Sequence, residues 1–208
     1  QSRPELFKLC INKPLPLYSN LLEVDERINS RGQILKDLNS LELEQKLSEL
    51  DRSKIDSVAV VLMHSWINPE HELICEEILA NRGFKNIFLS HKTMNHIKII
   101  SRGQSTIIDA YLSVIIMDYL EKIKSELGNI PFEFIESSGS LSTPKSFKGK
   151  NALYSGPAGG VLATAQIAME LNLKGVIGFD MGGTSTDVSR FEGTFEKIYE
   201  KIIAGIPI

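Results

Sequence analysis

Gly178-Phe179-Asp180-Met181-Gly182-Gly183-Thr184-Ser185-Thr186-Asp187-Val188-Ser189-Arg190 is the stretch that decides the fold. The short apolar run Gly175-Val176-Ile177-Gly178-Phe179 leads into it, and Thr186, Val188 and Phe191 lead out extended. Two β-prone runs about a glycine turn read as a hairpin. Adjacent Gly182 and Gly183 permit positive φ and close approach to the backbone. Successive N–H groups in such a turn converge on an anion. A carboxylate stands at each end, Asp180 and Asp187. Carboxylates repel a bare phosphate, so the set makes sense with a hydrated hard cation between them. The hydroxyls of Thr184, Ser185 and Thr186 serve the same oxygens or the water shell. The chemistry expected is a Mg-nucleotide site, and the bland alternative is a tight hairpin with hydroxyl-capped turns.

Just upstream, Ser155-Gly156-Pro157-Ala158-Gly159-Gly160 opens an apolar stretch that runs to Leu171. Pro157 suits the first turn of a helix, where its missing N–H costs nothing. Gly159 and Gly160 let a backbone or a ligand come close. Asn172 or Lys174-Gly175 ends the helix. A small-residue helix feeding a phosphate hairpin resembles the actin, sugar-kinase and heat-shock-chaperone ATPases. The resemblance implies a helix that links two halves at the hinge of a nucleotide cleft.

The same two segments resemble the hydantoinase A/5-oxoprolinase family, and within it the ATP-dependent 5-oxoprolinases. Arg3-Pro4-Glu5-Leu6-Phe7, Leu22-Glu23-Val24-Asp25-Glu26-Arg27, Ala59 to Ser65, Arg102-Gly103 and Asp109-Ala110-Tyr111-Leu112 are similar as well. The resemblance implies ATP-driven opening of 5-oxo-L-proline to L-glutamate with ADP and phosphate, as in glutathione metabolism. ATP, Mg2+ and K+ are the implied cofactors. Asp180 and Asp187 are the implied catalytic and metal residues, with Gly182 to Thr186, Gly159 and Gly160 holding nucleotide. The implied partners are the rest of the polypeptide or a hydantoinase B-like chain, in a cytoplasmic homo-oligomer. Related alternatives are an ATP-dependent hydantoinase, an acetone carboxylase-like enzyme, or a non-catalytic nucleotide switch.

The 208 residues carry 42% hydrophobic and 24% charged side chains, the balance of an ordinary globular chain. A net charge of -3 leaves no electrostatic footprint for nucleic acid. No apolar run reaches the roughly 18 to 20 residues of a membrane span. A start at Gln1 and an end soon after the hairpin read as a fragment, expected to be inactive alone because only one phosphate loop is present. Cys10 and Cys75 read as two thiols of a cytosolic protein. His71 and Cys75 share a helical face, with no third ligand spaced to complete a zinc site.

The expected fold is α/β, of the actin-like ATPase type by resemblance, with a small N-terminal β-containing subdomain over residues 1–54. Residues 55–172 read as the end of the first half and 173–208 as the start of the second. Ser30-Arg31-Gly32-Gln33 reads as a turn between strands, and Asn39 with Glu42 caps a short helix. The cluster Glu23 to Glu26 reads as a solvated strand edge. The continuous apolar run Ser57 to Met63 reads as a strand buried on both faces. Helices are expected over 69–81 and 104–127, with strands at 86–90 and 132–136. This alternation predicts a largely parallel layer, with ligands beyond the strands' carboxyl ends. His64-Ser65, Ser90-His91 and Ser137-Ser138-Gly139 fall there. His64, Ser137, Ser138 and Gly139 are therefore candidate substrate residues. The family usually has Ser, then Asp or Asn, then two glycines at the last position, where this chain has Ser138 and Ser140. Lys145-Ser146 imitates the end of a P-loop, but Pro144 has no N–H to offer a phosphate.

Overall fold

In the computed structural model, which describes residues 7, 9, 10, 15–195, 202, 203, 206 and 207, the chain folds as two units. The first comprises residues 1–115 and 200–208, the second residues 116–199.

In the first unit, β1 (Arg27–Ile28) and β2 (Ile34–Lys36) pair antiparallel. Asn29 Oδ1 accepts the N–H groups of Arg31 and Gln33, and Gly32 takes φ +79°, which completes the expected turn. Helix α1 (Ser40–Ser48) starts at Asn39, whose side chain accepts the Glu42 N–H. Strand β3 (Val58–Val60), helix α2 (Glu70–Asn81) and strand β4 (Ile87–Leu89) form a parallel β-α-β unit, with Val58, Ala59 and Val60 beside Ile87, Phe88 and Leu89. Gly83, at φ +84°, ends α2. Leu38, Leu43, Leu47, Val60, Cys75, Leu79, Phe84 and Leu89 make the core.

β3 is shorter than its apolar run. The reason is chemical: Glu72 takes the Leu62 N–H, and Arg102 takes the carbonyls of Leu62 and Met63. Side chains thus remove Leu62 and Met63 from the ladder. Only Val60 of β3 is buried, and Val58 and Ala59 are half-buried. A short helix, α3 (Ser90–Thr93), follows β4. Helix α4 (Ile99–Leu127) begins five residues before the expected Gln104, so Arg102 lies inside it.

Among its described residues the second unit holds the last part of α4, two antiparallel hairpins and one further α-helix. β5 (Phe134–Ile135) pairs with β6 (Leu141–Ser142). Helix α5 (Ser155–Glu170) follows, and Asn172 at φ 52° helps end it. β7 (Val176–Met181) then pairs with β8 (Thr186–Phe191). Ala165, Ala168 and Phe191 are buried together, with Val176 packed on them. Near the end of the chain, in the segment that belongs to the first unit, β9 (Ile202–Ile203) pairs antiparallel with β10 (Ile206–Pro207). The expected largely parallel layer therefore reduces to β3–β4 among the described residues. Short connections such as Glu136–Ser140 and Gly182–Ser185 can join only antiparallel neighbours, because a parallel return needs a crossover of a dozen residues or more.

Candidate functional site

The hairpin β7–β8 places Asp180 directly opposite Asp187, Gly178 opposite Ser189 and Val176 opposite Phe191. Side chains alternate across a strand, and the inner set faces α5. Gly160 of α5 sits so close that a Cβ there would stand 3.8 Å from Asp180 Oδ2. A Cβ on Gly178 would lie 2.5 Å from Ser189 Oγ and closer still to Thr164 Oγ1, so glycine at 178 is what lets helix and hairpin meet. Thr164 donates to Gly160 O at 2.9 Å and lies 3.5 Å from Ser189 Oγ.

A cleft of about 280 Å³ runs between α5 and the hairpin. Pro157, Gly160 and Thr164 line one wall, and Asp180, Asp187 and Ser189 the other. Neither aspartate has an ion-pair partner among the described residues. Like charges directly opposite on a sheet destabilise it. The pair fits a divalent cation, whose charge would relieve that repulsion. No third His, Cys, Asp or Glu joins them among the described residues, so water and phosphate oxygens would complete a hard-cation shell.

Gly182, Gly183, Thr184 and Ser185 form the exposed tip of the hairpin, and Thr186 opens β8. The sequence places all the tip amides in an open nest, but the Gly182 N–H donates to Ser185 O at 2.9 Å and closes the loop. Gly183 and Thr184 keep amides without a partner among the described residues. Gly159 faces β5, where a Cβ would meet Ile135 Cδ1 at 3.6 Å. Asp180, Asp187 and Gly160 are thus brought together, while Gly182 to Thr186 stand at the tip and Gly159 faces elsewhere.

The other candidates have structural work. Ser137 Oγ donates to Asn151 O at 2.6 Å and accepts the Tyr154 N–H at 2.9 Å. Ser138 Oγ accepts the Ser140 N–H, and Gly139 takes φ +81° beside Leu162 in the β5–β6 turn. His64, in the first unit, gives Nδ1 to Ile28 O at 2.6 Å.

A buried polar network at the carboxyl ends of β3 and β4 escaped the sequence reading. Arg102 is 0% exposed and Glu72 1%. Glu72 accepts from Leu62 N, Ser90 Oγ, His91 N and His91 Nδ1. Arg102 Nε reaches Ser90 Oγ at 3.0 Å, and Ser65 Oγ lies 3.0 Å from the same oxygen. Glu26 was expected in a solvated cluster; it is buried against His71 Nδ1 at 2.7 Å. Its neighbour Asp25 pairs with Lys36. The signal for Glu72 was present: His71, Cys75 and Leu79 are one turn apart on α2, and Glu72 adjoins that inner arc.

Comparison with known proteins settles the family. The hydantoinase/oxoprolinase family profile matches residues 102–208, and the profile of its N-terminal region matches residues 1–83. The chain belongs to the hydantoinase/oxoprolinase family. It is 37% identical to 5-oxoprolinase 1 of Arabidopsis thaliana over 99% of its own length and 18% of that protein's. It is 30% identical to the acetophenone carboxylase gamma subunit of Aromatoleum aromaticum, over 86% of the chain and 26% of the subunit. The ATP-dependent caprolactamase of Pseudomonas jessenii superposes with a TM-score of 0.72 at 25% identity, covering 89% of this chain and 29% of that one. A nucleotide-free acetone carboxylase superposes at 0.69 with 24% identity, covering 80% and 25%. The fold is therefore the actin-like α/β ATPase fold of this family. The chain spans about a fifth of the 5-oxoprolinases it matches. The family includes enzymes built from several subunits. No helix among the described residues is long and apolar enough to cross a membrane.

Proposed function

We propose that this chain is the part of an ATP-dependent cyclic amidase that holds the second phosphate loop, and that its substrate is 5-oxo-L-proline. The observation that carries the reading is the Asp180–Asp187 pair, set across the cleft from Gly160 of α5. Similarity to 5-oxoprolinases over nearly the whole chain supports the substrate.

A five-membered lactam is a poor electrophile. Transfer of the γ-phosphoryl group of ATP to its carbonyl oxygen releases ADP and makes the carbon open to water. Opening the ring and cleaving the resulting acyl phosphate then give L-glutamate and phosphate, two waters being consumed. Phosphoryl transfer asks mainly for positioning and charge neutralisation. Asp180 and Asp187 would hold Mg2+, directly or through water, and a bound Mg2+ would neutralise phosphate charge. Gly183 and Thr184 would offer amides to phosphate oxygens. Asp187 is also a candidate for K+. In this reading residue 173 begins the second actin-like half, residues 55–172 end the first, and 1–54 are a smaller subdomain.

The test is turnover by the intact polypeptide that carries this chain. Glutamate and phosphate should appear together from ATP and 5-oxoproline, and phosphate release should depend on the lactam. Slow ATP hydrolysis indifferent to 5-oxoproline would point instead to a nucleotide switch. Release that requires a ketone and bicarbonate would point to a carboxylase, the reading favoured by the likeness to the acetophenone carboxylase gamma subunit.

A further inference from the structure

The inner face of the β7–β8 hairpin is built in rungs, and α5 matches them in turn. Phe191 is buried with Ala165 and Ala168, and Val176, its cross-strand partner, packs on them. Gly178 and Ser189 form the next rung, beside Thr164. Asp180 and Asp187 form the one above, with Gly160 against Asp180. The cleft therefore has an apolar floor, a hydroxyl rung and an acidic rim. No lysine, arginine or histidine lines it among the described residues. The rim is accounted for by a cation and the floor by packing; the hydroxyl rung between them is not.

The hydrogens on that rung can be placed. A hydroxyl has one hydrogen and two lone pairs. Thr164 Oγ1 donates its hydrogen to Gly160 O at 2.9 Å. In the long contact of 3.5 Å between Thr164 Oγ1 and Ser189 Oγ, the hydrogen is therefore that of Ser189. Ser189 Oγ lines the cleft and accepts no hydrogen bond among the described residues, so its lone pairs are spare. Gly178 keeps the space beside it open, since a Cβ there would stand 2.5 Å from the same oxygen. Spare acceptors at the foot of an acidic rim suit a group that donates. A water bound to a metal turns its lone pair to the metal and both hydrogens outward, so it is such a group.

We infer that Ser189 is a positioning residue for the metal of the bound nucleotide: its Oγ accepts a hydrogen bond from a water on the Mg2+ held by Asp180 and Asp187, and Thr164 orients it. This rests on the Mg-nucleotide part of the function proposed above. The spacing favours a bridging water over a direct bond. Residues two apart on a strand stand roughly 7 Å apart, whereas two oxygens bonded to one Mg2+ are at most about 4 Å apart. A metal-bound water that donates a hydrogen bond of about 2.8 Å spans the difference. The cleft of about 280 Å³ has room for several waters at about 30 Å³ each, and Mg2+ gives up its waters reluctantly. The relay from Ser189 to Thr164 to Gly160 O fixes the direction in which the serine offers its lone pairs.

The test uses the intact polypeptide and the exchange-inert chromium(III) complex of ATP, whose metal keeps its waters and meets protein only through them. Wild type should bind this complex in competition with MgATP. Ser189→Ala should weaken it by about 10- to 100-fold, the usual cost of losing an outer-shell partner of a metal. Affinity for ATP in EDTA and the melting temperature of the nucleotide-free protein should stay the same. Thr164→Val should weaken the complex in the same direction and add little on top of Ser189→Ala. Equal affinity in wild type and Ser189→Ala overturns the inference. So does a loss of the same size in EDTA, which would make Ser189 a phosphate contact or a part of the fold. A wild type that binds MgATP and refuses the chromium complex overturns it too, because the metal would then need a direct bond to protein. None of these measurements needs a lactam. A protein that shows the Ser189→Ala loss yet opens no 5-oxoproline bears out the inference and defeats the cyclic-amidase reading.

Discussion

Asp180 and Asp187 face each other across the β7–β8 ladder, with Gly160 of α5 against Asp180 and neither carboxylate in an ion pair among the described residues. A sheet gains nothing from this arrangement. Two unit charges about 4 Å apart repel by about 1 kcal/mol even in water-like surroundings, so the pair is a cost to the empty hairpin and an asset to one that binds a cation.

Asp180→Asn removes the charge and keeps the shape. Mg-dependent turnover of the intact enzyme should collapse, while the melting temperature holds or rises slightly as the repulsion disappears. Asp187→Asn should be milder in turnover. A Mg2+ titration of activity checks both, and full activity with an unaltered Mg2+ requirement in Asp180→Asn would remove the metal from this site.

Gly178→Ala tests the closeness of α5 to the hairpin. Its new Cβ would press on Thr164 and Ser189. Overpacking of this kind costs about 1–3 kcal/mol, to be read from urea unfolding. Thr164→Ala in the same chain removes the nearer oxygen and should recover part of the loss. A double variant no more stable than Gly178→Ala alone would show that the clash lies elsewhere.

The elements whose identity rests on local rules were legible before the structure. Asn39 with Glu42 marks a helix start, Gly83 a helix end, and Gly182-Gly183 a hairpin, and each does so through backbone chemistry confined to a few residues. The cleft was legible in part. Asp180, Asp187 and Gly160 meet as their motifs suggest, but the Gly182 amide is consumed inside its own loop, a detail set by turn geometry. The Glu72–Ser90–Arg102 network was not legible. Its members come from α2, the start of α3 and α4, and nothing in their spacing shows that three polar residues share one buried point. The same network shortens β3, which the apolar run Ser57 to Met63 alone would extend.

The two thiols should differ sharply. Cys10 is exposed and Cys75 buried, and neither is in a disulfide. Burial first, then the Glu72 and Glu26 charges, push the Cys75 thiol up from 9.0 to about 12. The thiolate is the reactive form, so at pH 8 one of these two thiols should titrate with a disulfide reagent in the native protein and both in denaturant. The linkage has a definite sign. A thiol held protonated in the fold contributes stability that is intact below about pH 9 and is lost as the pH rises from there toward about 12. Fast labelling of Cys75 in native protein at pH 8 would contradict its packing.

Glu72 and Arg102 offer the sharpest energetic test, because they touch only through Ser90 and both are inaccessible to water. Removing one partner of a buried pair leaves the other charge uncompensated, at a cost of about 3–5 kcal/mol. Glu72→Leu and Arg102→Met should each be destabilised by that amount in denaturant unfolding. The two losses should not add, since once one charge is gone the other is a liability. The double variant should therefore be less destabilised than the sum of the single ones by well over 1 kcal/mol, beyond the about 0.3–0.5 kcal/mol within which independent sites add. Part of each loss will come from other bonds, because Arg102 also holds Leu62 O, Met63 O and His96 O, and Glu72 holds Leu62 N and the His91 ring. Ser90→Ala separates the two sources. It removes the bridging hydroxyl and leaves those other bonds in place, so it should weaken the coupling between Glu72 and Arg102 without matching either single loss. Strict additivity with Ser90 present and in the Ser90→Ala background alike would mean that the two charges are compensated separately and that Ser90 does not join them.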